Sequence, residues 1–337
     1  MYGSFVDFWP YIAGGRYNHY DSPVPYWALV HANAMFTYQF RTFFFSLEIY
    51  QKSDTARLLR WDRSGVIVTE AFSYIDHPDY LVHFLQRFDQ LTPAERGWDP
   101  TVQPATYAEA QLLNDAVIDY LKKVVSQEVP YLSMMCPTLD MWSPAWKVRL
   151  EDGSEDEPGE VIVRKPFEIT PCYNGSGKLC RFGYHVGLGK LVFMKDNWAF
   201  PPEDSKYKIP EVEVYKRIIN EDSIRFTTKA LYAEYVPGGP DGAKIFTRNQ
   251  DFATKDLAWV KHGCARRVYT RLVQDINYPL RFVRGSKELV QVIHDVLIGM
   301  TFSRSMHGVL TLIEDRQRCK MPPKQYFIPI STRRTSG

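Results

Sequence analysis

Residues 190–218 read KLVFMKDNWAFPPEDSKYKIPEVEVYKRI, and this stretch decides the fold. Lys190 to Met194 is short, apolar and rich in β-formers, the composition of a buried strand, and Lys195 sits at its end within LVFMKDNW. Prolines and charges interrupt the pattern. From about Pro210 to Ile219 the spacing changes to a helical one, with Val214, Tyr215 and Ile218 on one side and Glu211 suitably offset from them. A strand that carries a lysine therefore leads into a helix that carries a glutamate.

Working outward, Glu160 to Pro166 and Phe182 to Val186 read as further strands with glycines between them, as do ALYAEYV and RRVYTRLVQ on the C-terminal side. Ser286 opens a helix whose apolar side is Leu289, Val290, Ile293, Val296 and Leu297. Upstream, WKVRL and EVIVRKPF flank the acidic stretch EDGSEDEPGE, read as an exposed hairpin loop near a domain boundary. Thr106 and Glu109 have capping-box spacing at the head of a helix with Leu112, Leu113, Ala116, Val117, Tyr120, Leu121 and Val124 on its buried face. Leu81, Phe84, Leu85 and Phe88 form a second helical stripe expected to face the core. RLLRWDRSGVIVTEAF reads as a β-hairpin turning at Asp62 to Gly65, with Asp62 and Arg63 bracing the turn, and ALVHANAMFTYQFRTFFFSLEIY as a helix feeding a strand. Residues 1–27 have no clean periodicity. Strands, a helix, strands and a helix make an α+β order.

Composition bounds the function. The chain has 337 residues, 45% hydrophobic and 24% charged, with formal net charge +2, which is globular and long enough for about two domains. No apolar run reaches the ~20 residues of a membrane helix, and the N-terminus lacks a signal-peptide pattern. Five scattered cysteines form no C-x-x-C pair, which points to an intracellular, reducing compartment, cytoplasm or nucleus. Eight histidines lack metal-ligand spacing, no Walker A or G-x-S-x-G is present, and the aromatics read as core, so metal, hydrolase and nucleic-acid roles are not expected. The basic balance falls in residues 300–337, with seven Lys/Arg against two Asp/Glu.

The chemistry-bearing set is Gly175 and Gly177, Lys195, Glu211 and the strand YTRLVQD. Phosphates need close backbone approach, hence glycines; a fixed cation, hence a sheet lysine; and an anion to hold that cation, hence a helix glutamate. Each piece alone is common in structural roles, and order and spacing give the set its meaning.

With RTFFFSLEIY, RLLRWDRSGVIVTEAF, FLQRFDQLTPAERGWDPTV, Lys195-Asp196-Asn197-Trp198, EVEVYKRI, YTRLVQDINYPLRF and SKELVQVIHDVLIG, the chain resembles the fungal-type protein kinases from about Tyr26 to Gly299. The resemblance implies a kinase-like N-lobe, an antiparallel sheet plus one helix, preceded by a helix and hairpin region. It implies that Gly175 and Gly177 cover the ATP phosphates, that Lys195 pairs with them, that Glu211 locks Lys195, and that Val273, Gln274 and Asp275 form the adenine-binding hinge. It also implies Mg2+ and a protein Ser/Thr substrate.

The pattern departs at two places. Cys180 holds the third glycine position, where a β-carbon crowds phosphate, so ATP binding is expected to be weak or lost. After Gly299 no His-Arg-Asp follows, and the metal-binding Asn and Asp have no counterparts; Asp251-Phe252-Ala253 imitates a DFG but precedes the hinge. The expectation is an N-terminal region at 1–158, an N-lobe-like region with the first C-lobe helix at 159–299, and a basic, disordered tail at 300–337, with no catalytic or metal residue and no kinase activity. The alternatives are a pseudokinase or protein-interaction module, or a non-functional truncated product.

Overall fold

The computed structural model describes residues 8–9, 24–125, 143–151, 159–169, 175–204, 209–218, 230–238, 241–252, 265–276 and most of 285–294. The expectations for residues 300–337, for Val296 and Leu297 and for the acidic loop lie outside the described residues. The protein is α+β, with antiparallel sheets and few helices. Among the described residues no helix is long and apolar enough to cross a membrane.

A five-stranded antiparallel sheet comes first. Its strands are β1 (Phe8–Trp9), β2 (Phe43–Tyr50), β3 (Thr55–Asp62), β4 (Gly65–Val68) and β5 (Phe72–Ser73). Helix α1 (Tyr26–Tyr38) buries Ala28, Leu29, Ala32 and Phe36 against Phe44, Leu59, Trp61, Val66 and Val68. Phe44 and Trp61 are directly opposed across β2 and β3, and their rings stack at 5.9 Å. Asp62 braces the β3–β4 turn by accepting from the Ser64 amide (2.8 Å) and hydroxyl (2.6 Å). Arg63 does not join it: its guanidinium lies over Phe36, 4.6 Å from the ring centroid.

Helix α2 (Pro78–Gln90) departs from its expected role. None of its residues is buried; Phe84 and Phe88 touch Phe45 of β2, and Leu85 is exposed. The stripe is real, yet among the described residues Phe45 is the aromatic that meets Phe84 and Phe88, because periodicity fixes which side is apolar and not how much surface meets it.

The second sheet has eight strands: β6 (Val102–Pro104), β7 (Trp146–Leu150), β8 (Gly159–Val163), β9 (Glu168–Ile169), β10 (Leu179–His185), β11 (Lys190–Ala199), β12 (Ala230–Tyr235) and β13 (Val268–Gln274), in the order β12-β13-β11-β10-β8-β7-β6 with β9 beside β10. The sheet takes strands from both sides of position 158, and the hairpin β7–β8 itself crosses it. Along β11 burial alternates: Val192, Met194, Asp196 and Trp198 are sealed, while Phe193, Lys195 and Asn197 are partly open. The sealed face is the concave inside of a curled sheet, since Val148 and Leu150 of β7 cluster with Val192, Met194 and Val273 from strands beyond β10. The Glu151 amide just past β7 also reaches the Glu234 carboxylate on β12 at 2.8 Å.

Two helices lie on the outer face. The 19-residue α3 (Tyr107–Val125) starts with the expected capping box: the Thr106 amide donates to Glu109 (2.7 Å) and the Glu109 amide to the Thr106 hydroxyl (3.3 Å). It packs along β8, β10 and β11 and seals Ile162, an outward residue of β8. Leu113 is buried as expected, whereas Leu112 is exposed and Asn114 takes a buried position, bonded to Arg164. Helix α4 (Glu211–Ile218) packs on β12 and β13, where Val212 meets Tyr235 and Val268.

Candidate functional site

On the inner face a charge network ties three distant segments together. Arg271 of β13 donates to Asp196 of β11 (2.9 Å), to Asp99 (2.9 Å) and to the Thr101 hydroxyl (2.8 Å). Arg181 of β10 donates to Asp196 at 2.7 Å and lies over Phe40, 4.4 Å from the ring centroid. Glu234 stands 3.7 Å from Arg271, and burial pushes its carboxyl up to about 7. Two guanidiniums thus face three carboxyls, and burial favours the protonated form of Glu234. All these side chains are nearly inaccessible, so the network is structural.

Two of the stretches that carry the resemblance, WDRSG and RGWDPTV, act as clasps. Asp99 of the second grips Arg271, and Gly97 brings its backbone so close to the Phe43 carbonyl that a β-carbon would collide with it. Asp62 of the first accepts the backbone amides of Arg248 and Asn249, both at 2.8 Å, and the Asn249 side-chain amide nitrogen donates to the Gly65 carbonyl at 2.8 Å. Asp251, in the DFG-like triplet, pairs with Arg248 at 3.4 Å on the surface, far from a metal-binding arrangement in kind. Among the described residues no group of His, Cys, Asp and Glu is placed to hold a metal ion.

The outer face differs. Lys195 projects there between α3 and α4 and is hydrogen-bonded to Glu211, the first residue of α4. The pair keeps an opening to solvent, with side chains 14% and 30% exposed. Sheet register puts Cys180 of β10 and Leu272 of β13 on either side of Lys195. Two residues back along the strands, Phe193 is flanked by Phe182 and Gln274 on the same face. Phe167 stacks on Phe182 at 4.5 Å and 16° and meets Phe193 edge-on at 6.1 Å. The Gln274 amide nitrogen is buried and, among the described residues, has no hydrogen-bond partner.

The remaining expected residues fall as follows. Val273 lies within β13 with its side chain in the inner core, and its backbone is paired on both edges, so Asp275 is the first expected hinge residue past the ladder. Asp275 pairs with Lys190 at 2.6 Å. Gly175 and Gly177 form the turn before β10, both at positive φ (90° and 47°). The Gly175 amide donates to the Arg63 carbonyl at 2.8 Å, and the space a β-carbon on Gly177 would need is filled by the Arg63 guanidinium. This turn meets an arginine of the first sheet, a contact invisible in the sequence. The rings of Phe167, Phe182 and Phe193 were also missed, although Phe193 stands two residues before Lys195 and so must share its face. No family model, curated protein or solved structure matches this chain.

Proposed function

We propose that the outer face between α3 and α4 is a nucleotide-phosphate cradle of protein-kinase type, on a chain that binds the nucleotide without transferring its phosphate. The carrying observation is the Lys195–Glu211 pair: a strand lysine held by the first residue of the helix that follows it. The strand order supports the same reading. Taken in chain order as first to fifth, β8, β10, β11, β12 and β13 lie side by side as first, second, third, fifth and fourth, with α4 between the third and fourth in sequence, the arrangement of a kinase-like N-lobe. ATP would supply the anionic phosphates that Lys195 faces and a base that could lie over Phe182 and Phe193, within reach of the orphaned Gln274 amide. The glycine turn fits less well, because Arg63 already occupies its open side.

Phosphoryl transfer needs a base to orient the acceptor and carboxylate or amide ligands for Mg2+. His-Arg-Asp occurs nowhere in the sequence. Transfer to protein Ser/Thr is therefore assigned to the fungal-type kinases the chain resembles, and binding to this chain. Calorimetric and thermal-shift titration with ATP, with and without Mg2+, tests this. Saturable stabilisation that disappears in Lys195→Ala is expected, with no phosphate released or transferred; absence of any shift in the intact protein refutes the cradle.

A protein-interaction role has its own support. Tyr26, Trp27, Val30 and Tyr38 on α1, and Leu289, Val290 and Ile293 further on, are exposed. Stoichiometric complex formation that survives Lys195→Ala would favour this second role.

A further inference from the structure

We infer that Phe167 is a resident ring that holds the base position of this site shut, and that a flat aromatic ligand carrying an edge acceptor enters only by displacing it. The inference rests on the cradle reading above and adds the group that controls it.

Phe167 reaches its place through an irregularity in the sheet. Val163 pairs with Gly183 and Glu168 with Cys180, so the β8–β9 side uses two more residues than β10 between the same points. The excess is absorbed at Arg164–Phe167, where Pro166 cannot donate to the ladder. The Phe167 amide is nevertheless anchored, donating to the Cys180 carbonyl at 2.9 Å. The ring is thus thrown out of the strand line and laid flat on Phe182.

Position gives the contact its meaning. A kinase glycine loop reads G-x-G-x-x-G-x-V and its lysine strand V-A-I-K, with side chains smaller than a phenyl ring at the Val and Ala positions. Counting from Gly175 puts Phe182 at the Val, and counting back from Lys195 puts Phe193 at the Ala. Both positions are filled by rings, and a third ring stacks on Phe182 as a base would while meeting Phe193 edge-on. A phenyl group brings no acceptor in its plane, and the Gln274 amide, in register with Phe193, is left buried and unpartnered. That orphaned donor costs free energy as long as Phe167 stays and gains a bond when a base with an edge acceptor replaces it. Base–aromatic stacking then exchanges one ring for another, so the resident ring is displaceable.

The test uses the full chain with two probes, ATP and inorganic tripolyphosphate, in the intact protein, Phe167→Ala and Phe167→Leu, each checked for a cooperative melt. The leucine variant keeps apolar cover without a stacking ring, should alanine unfold the loop. In the intact protein ATP and tripolyphosphate are expected to bind within a few-fold of each other. Removing the ring is expected to tighten ATP about tenfold or more while leaving tripolyphosphate unchanged. Adding Gln274→Leu to the ring variant removes most of that gain. ATP binding the intact protein far more tightly than tripolyphosphate, with no change on ring removal, overturns the inference while Lys195-dependent binding keeps the cradle. Failure of both probes on every folded variant overturns the cradle and the inference with it.

Discussion

The two faces of the eight-stranded sheet carry charges of opposite kinds. Inside, Arg271 is surrounded by Asp196, Asp99, Thr101 and Glu234, and every member is sealed. Outside, Lys195 has Glu211 and keeps an opening to solvent. A sealed ion set in which each charge faces an opposite one is held by geometry and is closed to a ligand, whereas a lone, partly open pair can exchange partners. Burial and openness to solvent, not charge, separate the sealed face from the face proposed to bind.

Breaking the inner set should have the largest effect. Arg271→Ala takes the guanidinium from buried Asp99 and leaves buried Asp196 with Arg181 alone, and a loss of about 3–5 kcal/mol is expected in chemical denaturation. The same substitution unties residues 99–101 from β13, so early proteolysis near them accompanies it.

Glu234 sharpens the comparison through pH. Its folded value is raised from 4.5 to about 7, so the folded state holds a proton that the unfolded state releases. Its proton therefore favours folding at low pH, and this contribution is lost as pH rises from about 4.5 to 7. Glu234→Gln removes that dependence. Relative to the parent, the variant should gain on the order of 2 kcal/mol between pH 5 and pH 8, read from urea midpoints at both.

Gly177→Ala probes the junction between the sheets. A β-carbon at φ 47° adds left-handed backbone strain and meets the Arg63 guanidinium, so about 1–3 kcal/mol is expected. Arg63→Ala in the same background should recover the steric part. The smallest change is Thr106→Ala, which opens the α3 capping box for about 1 kcal/mol. Glu109, held down to about 2 by the Lys147 ammonium and the Thr106 amide, contributes above pH 4.5 and loses its contribution as pH falls toward 2, so the Thr106→Ala deficit shrinks in acid.

Much of the fold was legible because it is local. The hairpin at Asp62 to Gly65, the α3 capping box, the strands β8 and β10 to β13 and the helix bearing Glu211 each follow from period, turn chemistry or a cap within about twenty residues. What could not be read lies between distant segments. Asp99 and Arg271 are 172 positions apart, Asp62 and Asn249 are 187 apart, and no periodicity says which charge answers which. The same limit made α2 look like a core helix, since the sequence names an apolar side without saying how little opposes it. At the candidate site Lys195 and Glu211 were legible as a pair, while Arg63 against Gly177 and Phe167 over Phe182 depend on a bulge and a docking that only three dimensions reveal.

The central claim is that the outer pair is for binding and the inner set for folding, and melting Lys195→Met beside Arg271→Met with and without ATP tests it most directly. The account expects Lys195→Met to melt within a few degrees of the parent without ligand and to lose the ATP-dependent shift, while Arg271→Met melts far lower. A Lys195→Met protein as destabilised as Arg271→Met, or one that keeps the full ATP shift, would contradict it.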